Sequence, residues 1–283
     1  MLHSFKTILI PVDLSINTEV AVKKGLELAT YDTTIHLLHI QTSPVQDLSV
    51  IAYRYLVGGK TGTPLSEIKD KMEQWKRTIE ETAEGVKVCT KVISIDNSIQ
   101  KIIEEKAKEL KADLIIIGKN SHHSLLPLLN TVIPSKIVQQ SGIPVLTVKP
   151  GSLHNRIKTV IVPITSQATT TKMEAIETIC KKFRVKVYLV TFTRYDQPGE
   201  FYASVLLQMY QWLKTSVHCP VEYAVLRGKN KAKTLLNYAE KVNADILLVH
   251  PETETKIGWL NKHISDVLPA ASKMQVLAVQ PAA

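Results

Sequence analysis

A chain of 283 residues, 45% apolar but only 6% aromatic, is long enough for two cores built mainly from aliphatic side chains. The net charge of +9 is heavier in residues 151–283, yet no helix-turn-helix, finger or aromatic RNA-binding pattern accompanies it. A specific nucleic-acid reader is therefore not expected, and the surplus reads as solvated helix faces and loops. Cys89, Cys180 and Cys219 are an odd number at wide spacing, which excludes a disulfide framework and a zinc pattern. No apolar run approaches ~18 residues and Met1 to Lys6 has no signal-like core, so a cytoplasmic protein without a membrane span is expected.

The spacing predicts a strand over 5–12, then Ser15 as an N-cap and a helix over 17–30. A strand over 34–41 follows, then a long connection over 42–64 carrying Gly58-Gly59 and Thr61-Gly62-Thr63-Pro64. An amphipathic helix over 65–84, a strand over 86–95 and a helix over 98–111 come next. A strand over 113–118, a loop, a helix over 133–141 and a strand over 144–148 close this unit. After a short polar linker, Lys149 to Arg156, strands are predicted over 158–164, 185–192, 220–226, 245–250 and 275–280. Helices are predicted over 171–183, 199–215, 231–242 and 259–272. Aliphatic strands alternating with helices indicate a parallel sheet covered on both faces.

The second unit repeats the first. Phe5 to Asp13 returns 152 residues later in Arg156 to Thr165, and Ala112-Asp-Leu-Ile-Ile-Ile117 returns as Ala244-Asp-Ile-Leu-Leu-Val249 at an offset of 132. Pro144 to Val148 returns in Gln275 to Val279 at an offset of 131. Three segments recurring in order mean a duplicated domain, shortened by about 20 residues in the second copy. Domain boundaries are set at 1–150 and 151–283.

Ile8-Leu-Ile-Pro-Val-Asp-Leu-Ser15, Leu37-Leu-His-Ile40, Ala112 to Gly118 and Ser135 to Val148 together resemble the universal stress proteins, and the whole chain resembles two such domains in tandem. The resemblance implies two copies of a five-stranded parallel α/β sheet with flavodoxin-like winding, of the adenine nucleotide alpha hydrolase-like kind, packed as an intramolecular pseudo-dimer through their last strands. Members of this family either bind ATP or lack that ability. Those that bind it place the aspartate after the first strand near adenine and cradle the phosphates with a Gly-x2-Gly-x9-Gly-Ser/Thr loop.

Carried onto this chain, the resemblance makes Pro11, Val12, Asp13 and Ile40 candidates for the base, and Gly118, Ser121, Asn130, Thr131 and Val132 candidates for the phosphates. Asp13 offers a carboxylate acceptor, and Ile40 an apolar contact and a carbonyl; each has an equally plain reading as a turn or strand-end residue. Gly118 matches the first loop glycine, whose missing Cβ lets backbone amides approach an anion. The remainder departs: Ser121 stands at the second glycine, and Thr131 and Val132 at the final pair, or Asn130 and Thr131 in a loop one residue shorter. Lys119, Asn120, His122 and His123 add side chains able to meet an anion. In the second copy Thr165 replaces the aspartate, His250 replaces the glycine, and Glu252 and Glu254 put like charge where phosphates would lie, so ATP is not expected there.

Arg227 to Lys233 is either a phosphate grip or a basic helix start; His122-His123 makes a poor metal site; His39 and Cys180 read as structural. No Walker loop, nucleophile elbow or zinc-binding helix occurs, so neither a metal nor a catalytic residue is expected. The reading is a non-enzymatic stress-response module, with ATP or another adenine nucleotide as ligand of the first domain, an unidentified protein partner, and homodimerisation left open. The alternative is a structural partner-binding protein with vestigial crevices. Less favoured is an enzyme acting on adenylated or phosphorylated substrates.

Overall fold

The computed structural model describes residues 5–13, 15–42, 65–95, 98–119, 132–164, 170–193, 203–250, 264 and 268–280. In the first half Thr7–Val12 (β1), Thr34–Thr42 (β2), Lys87–Ile95 (β3), Leu114–Gly118 (β4) and Val145–Val148 (β5) alternate with helices. Those helices are Ile16–Leu28 (α1), Leu65–Thr82 (α2), Ile99–Glu109 (α3) and Pro134–Ser141 (α4). In the second half the strands are Thr159–Pro163 (β6), Lys186–Phe192 (β7), Val221–Leu226 (β8), Ile246–Val249 (β9) and Gln275–Ala278 (β10). The accompanying helices are Thr170–Lys182 (α5), Ala203–Trp212 (α6) and Lys231–Lys241 (α7). The helix expected over 259–272 lies largely outside the described residues, and Pro269 to Ser272 forms a turn.

All ten strands join one sheet in the order β3-β2-β1-β4-β5-β10-β9-β6-β7-β8. Neighbours are parallel except β5 and β10, which meet antiparallel at the centre with Leu146 opposite Leu277. Read outward from that pair, each half has the same succession of strands. The expected doubly wound α/β class is present, with one correction of detail. The winding is 3-2-1-4-5, the dinucleotide-fold order, and not the 2-1-3-4-5 order of flavodoxin.

The period-two alternation of the strands splits the core into two layers. Ile8, Ile10, Ile35, Leu37 and Ile116 face one side, with Val20 of α1, Met72 of α2, Ile176 of α5 and Leu206 of α6. Leu9, Leu38, Ile115 and Ile117 face the other, against Ile103 of α3, Ile137 of α4 and Leu235 of α7. Each such side chain stabilises the fold by roughly 1.5–3 kcal/mol. Both layers continue across the β5–β10 junction.

The repeated Ala-Asp pair has a structural cause. Asp113 Oδ2 accepts from the backbone N–H groups of Lys6 and Thr7, each at 2.9 Å, tying the start of β4 to the start of β1. Asp245 Oδ2 does the same to Lys158 and Thr159 at 2.8 and 2.9 Å, while its Oδ1 takes Asn155 Nδ2 and Lys273 Nζ. Across the halves, the fully buried Lys24 ammonium donates to Asn155 O at 2.6 Å and to Glu27 Oε2 at 2.8 Å. Lys182 donates to the Ala29 carbonyl.

One helix departs from expectation. The segment predicted to run to 215 is α-helical only to Trp212, then forms a π-helical turn over Leu213–Val217 that ends at His218 with φ 55°.

Candidate functional site

In the first half the strand order reverses between β1 and β4, and the crevice beyond their carboxyl ends is where open α/β sheets bind ligands. Asp13 leaves β1 at this point. Its Oδ1 accepts from Ser15 N at 3.1 Å, Ser15 Oγ at 2.5 Å and Thr18 Oγ1 at 2.8 Å. Ser15 Oγ in turn accepts from Asn17 N and caps α1 as expected. The Asp13 Oδ2 atom is buried and has no hydrogen-bond partner. Asn17, 2% exposed in the first turn of α1, also carries a buried Oδ1 without a partner. Two buried acceptors left unpaired are costly, on the order of 1–3 kcal/mol each, unless something donates to them.

His39 borders the same crevice. Its Nδ1 lies 2.9 Å from Val12 O, and because a carbonyl only accepts, this nitrogen carries the proton. Burial holds the ring's pKa below the ordinary histidine value, against the opposing pull of the Val12 carbonyl and the Asp13 charge. The neutral ring leaves Nε2 as an acceptor.

Gly118 ends β4 in close contact with α1. A Cβ there would sit 2.0 Å from Asn17 O, so the contact with the helix itself requires glycine, whatever an anion would add. Lys119, expected to reach toward an anion, is 5% exposed and its Nζ donates to Val132 O at 2.9 Å. That bond ties together the two ends of the loop between β4 and α4. Pro11 pairs with Leu38 within the sheet, and the side chains of Val12, Ile40 and Val132 are buried in the core. Ser121, Asn130 and Thr131 lie outside the described residues, as do Asn120, His122 and His123. The structure therefore brings Val12, Asp13, His39 and Gly118 together at the carboxyl ends of β1 and β4.

The second half is built differently at the same place. His250, which follows β9, is 2% exposed, and its pKa is pushed down to about 3 by burial and then by the Lys172 charge. Lys172 is itself buried in α5, with Nζ donating to Pro163 O at 2.8 Å. Thr191 occupies the position corresponding to His39 and is wholly buried. Thr165, Glu252 and Glu254 lie outside the described residues. The basic run after β8 serves the start of α7, where Asn230 Oδ1 accepts from Lys233 N at 2.9 Å.

Asn17, Lys172 and the His250 environment were missed from sequence. An Asn in a first turn and a Lys within Thr-Thr-Lys-Met look like solvated helix residues, and only burial sets them apart. Among the described residues no His/Cys/Asp/Glu group could hold a metal, and no helix is long and apolar enough to cross a membrane. A cavity of about 70 Å³ lies away from Asp13, at the junction of the halves near Phe5, Pro144, Glu174 and Gln280. That is room for a few waters, not a nucleotide.

These features define a doubly wound α/β protein whose first switch point lies between β1 and β4. The sequence profile of the universal stress protein family matches residues 4–149, more than half the chain, and the protein belongs to that family. A universal stress protein from Archaeoglobus fulgidus has a similar structure (TM-score 0.61, 14% identity), the match covering 97% of this chain and 96% of that one. A functionally unknown protein from Pseudomonas aeruginosa matches equally well, at TM-score 0.61 and 14% identity over 99% and 94% of the two chains. The cytoplasmic domain of a prokaryotic cation chloride cotransporter follows at TM-score 0.51 and 9% identity over 98% and 96%. At these identities the likeness concerns the fold alone. No curated protein matches the chain.

Proposed function

We propose that the chain is a tandem universal stress protein, with domains 1–150 and 151–283 arranged as an internal pseudo-dimer, and that it is a binding module and not an enzyme. Its ligand is a small molecule rich in hydrogen-bond donors, of the adenine nucleotide class, held in the crevice of the first domain. The observation that carries this reading is the buried, unpartnered Oδ2 of Asp13. An exocyclic amine or a ribose hydroxyl would supply the missing donor, and the buried Asn17 Oδ1 in the first turn of α1 would take a second. The second domain keeps the fold without the site, since the buried His250 stands where Gly118 serves the first and the buried Lys172 charge lies near it.

A second reading has its own support. Gly118 is explained by its contact with Asn17 alone, which suits a protein whose crevices are vestigial and whose surfaces bind another protein. Isothermal titration of the full chain with ATP, AMP and adenosine separates the two. Binding of at least one, weakened in Asp13→Asn, is expected; a ligand at 100 times its Kd also stabilises by about 2.7 kcal/mol, which a thermal scan detects. No heat and no thermal shift with any of the three at millimolar concentration would favour the vestigial reading.

A further inference from the structure

Two of the three cysteines meet. Cys180, in the last turn of α5, and Cys219, two residues before β8, are 39 positions apart, yet their sulfur atoms lie 3.1 Å from each other. Both are free thiols. Cys180 is partly exposed and Cys219 is 6% exposed, with its Sγ donating to Val185 O at 3.2 Å.

The backbone reaches this arrangement by an unusual route. The π-helical turn over Leu213–Val217 takes up an extra residue, His218 adopts a left-handed φ of 55°, and the Cys219 N–H donates back to Leu213 O at 3.1 Å. Both are uncommon conformations, and π turns concentrate at functional positions. Together they deliver the Cys219 sulfur to the end of α5. A disulfide needs a separation of about 2.05 Å, so the sulfurs must close by roughly 1 Å, a displacement on the scale of a side-chain adjustment.

We propose that Cys180 and Cys219 form a reversible disulfide when the protein meets a peroxide. Peroxide reaches the partly exposed Cys180: an S–O bond forms as the O–O bond breaks, and one water leaves. The Cys219 sulfur then displaces the hydroxyl from the Cys180 sulfenic acid. The S–S bond forms, the S–O bond breaks, and the Cys219 proton departs with the hydroxyl as a second water. Two thiols are oxidised and one peroxide is reduced to two waters. The hydrogen bond donated to Cys219, and after it burial, push the Cys180 thiol up, so the reaction is slow at neutral pH and accelerates as pH rises. The disulfide would tie the last turn of α5 to the approach to β8. Two residues beyond Cys180, the Lys182 ammonium holds the Ala29 carbonyl of the other half, so oxidation acts beside a contact between the halves.

The test uses the reduced full chain, treated with hydrogen peroxide, alkylated under denaturing conditions and digested with trypsin without reductant. The expected product is Met173–Lys181 joined to Thr215–Arg227, with a mass about 2 Da below the sum of the two peptides and loss of the link on adding dithiothreitol. In a parallel thermal scan the oxidised chain melts several degrees higher than the reduced chain, a difference absent from Cys180→Ala. Cys89, which is exposed, serves as the internal gauge of exposure to oxidant. Full alkylation of Cys180 and Cys219 after Cys89 has been oxidised would overturn the proposal. So would sulfinic acid at either position without the linked peptides, or a link from either cysteine to Cys89.

Discussion

A methyl group added at Gly118 would lie 2.0 Å from the carbonyl oxygen of Asn17, and 3.0 Å from its Cβ. The end of β4 and the first turn of α1 are thus in backbone contact, and the obstacle is main chain, which cannot rotate aside. Gly118→Ala should lower stability by about 1–3 kcal/mol, the range for overpacking a dense site. Urea unfolding checks this. A change below about 0.5 kcal/mol would mean that the helix can retreat freely, and would return the glycine to a purely ligand-related role.

Asp13 separates two tasks between its two oxygens. Oδ1 organises the start of α1 through Ser15 and Thr18, and Oδ2 faces no partner. In Asp13→Asn the amide oxygen can keep the Oδ1 bonds while the NH2 group replaces Oδ2. Folding stability should therefore change by less than about 1.5 kcal/mol, whereas affinity for an adenine ligand should fall about tenfold or more, because a donor then faces a donor. Titration calorimetry and urea unfolding on the same variant read the two effects apart.

His250 imposes a pH dependence whose sign follows from its depressed pKa. The folded state keeps the ring neutral down to about pH 3, whereas in the unfolded chain it protonates near pH 6.5. The unfolded state therefore binds the extra proton first as pH falls. The contribution is fully present above pH 6.5 and is lost progressively between 6.5 and 3. Between pH 7.5 and 5.5 the loss should be on the order of 1–2 kcal/mol, and His250→Gln should flatten it. His39 and His36, whose pKa values are also lowered by burial, leave a residual slope of the same sign.

The twin aspartates offer an internal comparison. Asp113 makes two backbone bonds, and Asp245 makes the same two plus those to Asn155 and Lys273. Replacing Asp113 by Ala should cost about 1–3 kcal/mol, and replacing Asp245 should cost at least about 1 kcal/mol more, since Lys273 and Asn155 lose their partner as well. Equal midpoints in urea for the two variants would show that the additional bonds contribute nothing net.

The periodic segments were legible because they are written in aliphatic residues and written twice. The strands near Ile8, Leu37 and Ile116, and their counterparts near Val160, Leu189 and Leu248, fall where the pattern put them. Charged residues were less informative. Lys24 sits in Val22-Lys23-Lys24-Gly25, which reads as an exposed helix face, yet its ammonium is wholly buried against Asn155 O of the other half. Nothing local distinguishes Lys24 from Lys23, because the distinguishing partner lies 131 residues away. The contact of Gly118 with the α1 backbone is not visible in the loop spacing, because Asn17 lies about a hundred residues earlier in the chain. Cys180 and Cys219 looked unrelated because proximity through a π turn leaves no mark in spacing. The winding order was likewise invisible, since a βαβ succession does not say on which side of β1 the second strand lies.

The antiparallel junction of β5 and β10 has a consequence for assembly. The terminal strands of the two halves satisfy each other, so among the described residues β3 and β8 are the sheet margins. Severing the backbone between Pro150 and Lys158 would leave each piece with a newly bare hydrogen-bonding strand and an uncovered strip of core. The two pieces should therefore remain clasped as a one-to-one pair under native conditions, and either piece prepared alone should seek a twin.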